Sequence, residues 1–508
     1  MTRDPEGRNA RRSRRTTELR QLPWRQVSNP YRPIEVLAEE QVEAIHTASL
    51  RILSEIGIDF LHPEAHSILA EGGAQIDGER VRFDPELVME SIATVPPSFT
   101  LHARNPAHNV EIGGDNVVFS EVASAPNSSD MIGGRRTGTH RDYRDFLRLG
   151  QTFNIIHVFG GYPVEPVDLP PATRHLDCLS DFVTLTDKAF HGYSLGRRRI
   201  LDALEIVRIG RAISAEQLAS EPSLFTIVNT SSPLRLDGPM IEGVIEMARM
   251  NQVVVITPFT LAGAMAPASL AGALAQQNAE ALAGITFTQM ANPGTPVMYG
   301  GFTSNVDMRS GAPAFGTPEY TKAAMAGGQL ARRYGFPYRS SNATAGNAVD
   351  AQAAYEAEMS TWGAVMGGAN LVMHGAGWME GGLVANFEKL VIDVEILQMM
   401  AEFMTPLRVD EAELGVDAIA AVGPGGHFFG SPHTLERYDT AFYSPIVSDW
   451  QNFEAWAEGG SLTTEQRAAT VVRKVLDEYE APPLDSAVAE ELSEFVERRR
   501  SEGGADAA

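Results

Sequence analysis

The chain has 508 residues, a formal net charge of −24, 44% hydrophobic and 21% charged residues, and one cysteine, Cys178. That length exceeds one small core and suits a single large α/β barrel with added elements, or two to three domains. An acidic balance repels nucleic-acid phosphates, a lone cysteine excludes intramolecular disulfides and cysteine-rich metal clusters, and no apolar run reaches membrane-span length.

A reducing cytoplasm fits this cysteine usage. The acidic balance is ordinary solubility chemistry, and it is also the sign that attracts a cation. The first twenty residues hold seven arginines against three acids, with RRSRR at 11–15. No hydrophobic stretch follows them, so residues 1–32 are expected to be a disordered basic tail, not a secretion signal. Residues 36–56 show helical apolar spacing, with Ile45, Ile52 and Ile56 near one face and Gly57 as the stop. A second helix near 63–72 and an extended piece at Val81–Phe83 complete an expected N-terminal α+β cap over 33–115.

From residue 117 short apolar runs alternate with helical segments. The runs are Val117–Ser120, Ile155–Phe159, Ala189–Tyr193, Leu224–Asn229, Val253–Thr257, Val297–Gly300, Tyr338–Ser341 and Leu371–His374. Parallel strands buried on both faces read this way, and eight of them predict a (β/α)₈ TIM barrel over 116–405. An open doubly wound sheet is the alternative, but no G-x-G-x-x-G opens the first βα turn. Phe387–Phe403 reads as a strong helix. A Gly-rich turn at 423–426, helices near 449–458 and 463–479, and a charged helix ending at Arg500 make a C-terminal helical extension over 406–500. Residues 501–508 are expected to be a disordered tail.

A barrel places its chemistry at the carboxyl ends of its strands. Those ends hold Glu121, Gly160-Gly161-Tyr162, His191 with Tyr193, Asn229, Thr257 with Phe259, Tyr299, Ser341-Asn342 and His374. No lysine there suits a Schiff base, and no nucleophilic cysteine is present. His191 and His374 are the ionisable groups, each as readily structural as functional. Tyr162, Tyr193, Phe259, Tyr299, Phe302 and Trp378 are aromatic faces that either surround a cation or simply cover the barrel top. His427 and His433, six apart across Pro432, match no zinc spacing. Glu121 and Glu380 offer a glycosidase-like carboxylate pair, and the glycine runs 367–370 and 375–382 a phosphate or planar-ligand cradle.

The most informative block is Tyr338–Glu356, YRSSNATAGNAVDAQAAYE, read as a strand end, a small-residue loop and a helix capped by Asp350. Its Asp350-Ala351-Gln352-Ala353-Ala354-Tyr355-Glu356 resembles the trimethylamine methyltransferase family. So do Ile52–Gly57, Arg136–Thr139 with Asp142, Leu390–Met399, Gly423–Phe428 and His433-Thr434, so the resemblance spans most of 33–498. The family's founding members carry pyrrolysine in the loop before this helix, and Asn347 falls at that position to within a residue or two.

The resemblance implies a barrel that moves a methyl group from a methylamine to the cobalt of a corrinoid on a separate small protein. A methyl on quaternary nitrogen leaves a neutral tertiary amine, so neither acid nor metal is needed. Neutral trimethylamine needs an activator, and pyrrolysine is absent here. The implied donor is a quaternary amine, glycine betaine by preference. Trimethylamine, carnitine, proline betaine, choline or a sulfonium compound are alternatives, as is a non-catalytic osmolyte-binding barrel or a hydrolase using Glu121 and Glu380. Asn347 takes the catalytic position in this scheme. Tyr162, His191, Tyr193, Asn229, Phe259, Tyr299, Asn342 and His374 are expected to bind substrate, and Gly346, Gly375, Gly377 and His427 to meet the corrinoid. The chain lacks the D-x-H-x-x-G motif of corrinoid carriers, so no cofactor or metal of its own is expected. A homo-oligomer is.

Overall fold

The computed structural model describes residues 19–505, so residues 1–18 and 506–508 of the two expected tails lie outside the described residues. Each of the eight apolar runs coincides with a strand, to within a residue at the first: β1 Asn116–Phe119, β2 Val158–Phe159, β3 Ala189–His191, β4 Leu224–Val228, β5 Val253–Ile256, β6 Val297–Gly300, β7 Tyr338–Ser341 and β8 Leu371–Met373. They pair in parallel in chain order from β2 to β8, β8 pairs with β1, and a bridge from Ser120 to Val158 closes the ring. The helices between them are α1 His140–Thr152, α2 Arg174–Leu185, α3 Arg197–Arg211, α4 Gly238–Arg249, α5 Leu270–Ala291, α6 Pro318–Tyr334, α7 Ala351–Met366 and α8 Phe387–Phe403.

The double-sided apolar pattern has a simple cause. Alternate strand residues face opposite sides. Val118, Phe225, Val253, Val255, Met298 and Met373 fill the barrel interior. Their neighbours Phe119, Leu224, Val254, Tyr299 and Val372 meet the helix layer instead. A hairpin of Ser98–Leu101 and Val110–Gly113 adds Leu101, Val110 and Ile112 to the interior cluster and so plugs it at one end.

The expected N-terminal cap sits on the barrel's flank. Helices Glu39–Arg51, Pro63–Glu71 and Pro85–Ile92 pack against α5, which is buried along most of its length. Arg235–Leu236, from the loop after β4, joins this unit's small sheet beside Ile58–Phe60. The expected helix over 36–56 runs as α-helix to Arg51 and widens to a π-turn over Ile52–Ile56. It stops at Gly57, where φ is +81° and a Cβ would stand 2.5 Å from the Val81 carbonyl.

Both expected tails need correction. From residue 19 onward the chain is a packed strap: Val27–Ser28 pairs with β1, and the Leu22 amide donates to Gln398 Oε1 at 2.7 Å. The strap satisfies an otherwise open edge of β1 and ties it to α8. At the other end Ser486–Ser501 is a helix seated on α2 and α3, and the Ala505 amide donates to the Ala172 carbonyl at 2.9 Å.

Loops at the carboxyl ends of the strands build two small sheets over the mouth. One joins Asn127–Asp130, Gly134–Thr137, Trp378–Met379 and Val384–Asn386, and the other joins Phe259–Ala262, Phe302–Val306 and Pro313–Ala314. No helix among the described residues is long and apolar enough to cross a membrane.

Candidate active site

Arg339 lies in the middle of β7 and is 3% exposed. Its Nη2 is 3.5 Å from His374 Nε2, and its Cζ stands 5.3 Å over the Phe302 ring. Nε and Nη1 have no partner. Burial pulls its pKa down to about 10, so it remains a cation at neutral pH.

Two histidines face it. The Ile227 amide donates to His191 Nε2 at 2.9 Å, which leaves the ring proton on Nδ1, and that atom has no partner. Burial, helped by Arg339, lowers the His191 pKa to about 3 and keeps it neutral. His374 is depressed for the same reasons, burial first, then Arg339 and His191. Its Nδ1 is likewise unpartnered. His374 adopts φ +55°, the left-handed region that costs a non-glycine residue about 1–2 kcal/mol, so its ring is held at some expense. The Trp378 ring lies 4.2 Å from it with Nε1 unpartnered. Among the described residues no carboxylate acts on Arg339, His191 or His374. The group is rich in free donors and carries one unbalanced positive charge, which is a site chemically suited to an anion.

An aromatic shell adjoins it. Phe302 lies 5.2 Å from Phe259, 5.5 Å from Phe315, 6.2 Å from Trp378 and 6.3 Å from His374. Strand polarity orders the two features. Arg339 precedes the end of β7 by two residues, whereas Phe302 and Phe259 follow the ends of β6 and β5. The rings therefore start nearer the mouth than the Arg339 backbone, and the guanidinium reaches up to one face of Phe302.

Tyr193 forms a wall of the same centre, 4.5 Å from His191 and 4.7 Å from Tyr162. Its hydroxyl accepts the Tyr162 amide at 3.0 Å and shares a hydrogen bond with Ser124 at 2.7 Å. Behind it opens a cavity of about 420 Å³ lined by Ser124, Tyr162, Arg174, His175 and Tyr193.

The structure thus gathers His191, Tyr193, Phe259 and His374 around a residue that the strand-end reading passed over, Arg339. Asn342 is also buried there, donating to the Gly375 carbonyl at 3.0 Å with Oδ1 free. Tyr299 points the other way. Because Met298 faces inward, the Tyr299 ring lies in the helix layer, where its hydroxyl donates to Asn278 Oδ1 at 3.1 Å. Asn229 is exposed beyond β4.

Asn347 is exposed at the outer end of its loop, apart from the buried cluster. The rest of that loop is clamped. Glu356 accepts the amides of Ala345 and Gly346 at 2.8 and 2.9 Å, Gln352 bonds Glu356, and Asp350 caps α7 through the Gln352 amide at 2.9 Å. The D-x-Q-A-x-x-E pattern is a loop clamp.

The glycines expected at a docking face are interior. A Cβ on Gly375 would stand 2.7 Å from the Ser120 carbonyl, on Gly377 (φ +96°) 3.1 Å from Val122, and on Gly346 3.3 Å from the Ala353 amide. They allow close chain packing behind the site. His427 is exposed in its turn. Glu121 is buried toward α1 with its pKa raised well above normal by burial, while Glu380 pairs with Arg135 at 3.0 Å. Two carboxylates so placed cannot flank one bond, and the hydrolase reading falls. No cluster of three His, Cys, Asp or Glu suited to a metal occurs among the described residues.

A family model described as trimethylamine methyltransferase (MTTB) matches residues 4–504. The chain is 39% identical over 473 residues to the glycine betaine methyltransferase of Desulfitobacterium hafniense (strain Y51), covering 92% of this chain and 98% of that protein. It is 28% identical over 474 residues to the trimethylamine methyltransferase MttB of Desulfitobacterium hafniense (strain DSM 10664 / DCB-2), covering 92% and 94%. Among solved structures, the hydroxylamine complex of MtmB matches with a TM-score of 0.51 at 11% identity over 87% of this chain and 88% of that one, a likeness of fold alone. With a family match over nearly its whole length, on a closed barrel, the chain belongs to the trimethylamine methyltransferase family and is a methyltransferase.

Proposed function

We propose that this chain transfers a methyl group from a carboxylated quaternary amine, glycine betaine by preference, to a reduced corrinoid carried by a separate small protein. The observation that carries the reading is Arg339. A buried guanidinium with two unpartnered nitrogens, two free imidazole N–H donors near it and no counter-ion fits a substrate carboxylate. The adjoining faces of Phe259, Phe302 and Trp378 fit the trimethylammonium end. On this reading the substrate's anionic end meets Arg339, and its methyl groups lie against the rings that follow the ends of β5 and β6.

The reaction breaks one C–N bond, whose electron pair stays on nitrogen, and forms one bond from that carbon to the acceptor. The corrinoid supplies a strongly nucleophilic cobalt(I) as the methyl acceptor. The leaving group is a neutral tertiary amine, so no proton moves. This agrees with a site whose histidines are neutral and whose carboxylates lie elsewhere. The chain's residues bind, orient and exclude water, and most of the acceleration comes from positioning. The rim suits a broad apolar acceptor: Ile132, Met308 and Leu383, at the tips of the mouth loops, are 87%, 74% and 53% exposed.

Choline lacks the carboxylate and would place a cation beside an uncompensated Arg339, and neutral trimethylamine would leave that charge unmatched, which disfavours both. Carnitine and proline betaine keep the carboxylate and form the second reading. The test follows the cobalt(I) absorbance of a carrier-bound corrinoid with purified protein and each donor. Loss of the band with glycine betaine and not with choline is expected. Activity with trimethylamine alone, or silence throughout with a competent carrier, overturns the proposal.

A further inference from the structure

Resting on the donor proposed above, we infer that the cavity behind Tyr193 is a second binding site, which takes the demethylated amino acid once its methyl group has left. The cavity measures about 420 Å³ and lies among the loops that follow β1, β2 and β3, within the range of small-molecule sites. Tyr193 is the side chain it shares with the Arg339 centre, since the same ring lies 4.5 Å from His191. Hydrogen bonds to Ser124 and from the Tyr162 amide pin the hydroxyl of that wall.

The charges of the cavity suit a dipolar guest. Arg174 and Arg199 line it from the first turns of α2 and α3. Neither helix has a side-chain cap, and cations there oppose the positive end of a helix dipole, a placement that an anion relieves. Arg174 Nε has no partner. Two acceptors line the same space. Glu165 is one, bonded to Arg174 through Oε1. His175, 5% exposed, is the other. Its Nε2 donates to Asp202 at 2.8 Å, and Arg499 of the C-terminal helix fixes Asp202 at 2.6 Å. In the neutral ring Nδ1 is then an acceptor, and it has no partner.

These acceptors separate product from donor. A quaternary ammonium has no N–H. The tertiary amine left by methyl transfer takes up a proton from solvent and then has one. Glu165 or His175 Nδ1 accepts that N–H while the guanidiniums hold the carboxylate. The Arg339 centre is built the other way, with free donors and ring faces and no carboxylate acting on its cation. A small amino acid fills only part of the cavity, so water shares the space and the guest is held loosely. Such a side chamber empties the barrel while the carrier still covers the mouth.

The test is equilibrium dialysis of the full-length protein, without carrier, against radiolabelled N,N-dimethylglycine or glycine betaine. Wild type is expected to bind N,N-dimethylglycine at two sites and glycine betaine at one. Arg339→Met should keep one site for N,N-dimethylglycine and lose glycine betaine. Glu165→Gln, in either background, should weaken the remaining site about tenfold or more, as loss of a charge-assisted hydrogen bond implies. His175→Leu should weaken it too. A wild type without a second site overturns the inference. So does a second site that both variants leave unchanged, or one that holds glycine betaine as tightly. Glycine betaine retained by Arg339→Met, beside a Glu165-dependent site for N,N-dimethylglycine, would instead refute the role of Arg339 in holding the donor and would support this second site.

Discussion

Replacing Arg339 with methionine keeps a long apolar stem and removes the buried charge, and two opposite effects should follow. Without the cation, the substrate carboxylate would enter a dry site with no counter-charge. Breaking a buried pair this way costs about 3–5 kcal/mol, and about 1.4 kcal/mol is tenfold in an equilibrium or rate. Glycine betaine should therefore lose roughly two to three and a half orders of magnitude in kcat/KM, whereas any residual turnover of choline should change only a few-fold or rise. Stability should move the other way. Nε and Nη1 are unpartnered in the ligand-free barrel, so an apolar replacement relieves a desolvation penalty and should add about 1–4 kcal/mol. Donor-resolved kinetics and urea unfolding measure both. An equal loss with every donor, together with a lowered midpoint, would show that Arg339 is a structural group and would refute the reasoning.

Phe302→Leu should cost every quaternary donor alike about 0.5–2 kcal/mol, or up to roughly thirtyfold in kcat/KM, with no preference for carboxylated ones. Glu356→Gln weakens two charge-assisted bonds to the 345–346 amides; a destabilisation of about 1–2 kcal/mol is expected from the urea midpoint. Asp393→Leu strands Lys389, 1% exposed and paired with Asp393 within α8, and should cost about 3–5 kcal/mol in the same assay. Acid stability follows from His157, whose pKa burial lowers to about 3 while its ring accepts the Phe119 amide at 3.0 Å and bonds the Arg25 carbonyl at 3.1 Å. A depressed folded pKa means that the unfolded chain binds the proton first. Stability is thus full above about pH 6.5 and falls as pH drops toward 3, by up to about 1.4 kcal/mol per pH unit. His157→Gln should flatten that decline in pH-dependent unfolding curves.

The barrel was legible because each strand is sandwiched between interior and helices, which writes an unbroken apolar run into the sequence. The strap at 19–32 was not, since it satisfies the edge of β1 through backbone bonds that no side-chain pattern announces. Candidate site residues divide by parity. His191 and His374, at strand ends, lie beside Arg339, whereas Tyr299 faces the helices, because a four-residue strand does not reveal which alternate residues face inward. Arg339 carries a readable trace, a permanent charge inside a strand buried on both faces, but it lies two residues before the strand end, where a barrel's chemistry is expected. The glycines of 375–382 were read as surface because bare backbone suits a ligand and suits close chain packing equally well.

If Arg339 holds the substrate carboxylate as proposed, the contrast between a net charge of −24 and the uncompensated cation at the barrel centre has a consequence for selectivity in a crowded solution. Small dissolved anions, which would neutralise Arg339 most cheaply, meet a repulsive field before they reach the mouth. Bare cations are drawn in and then rejected at the bottom. A molecule with no net charge but two well-separated poles passes both filters, neither repelled outside nor unmatched within. On that proposal the protein would work as a dipole sieve, its innermost cation left free for the one class of solute that can approach it.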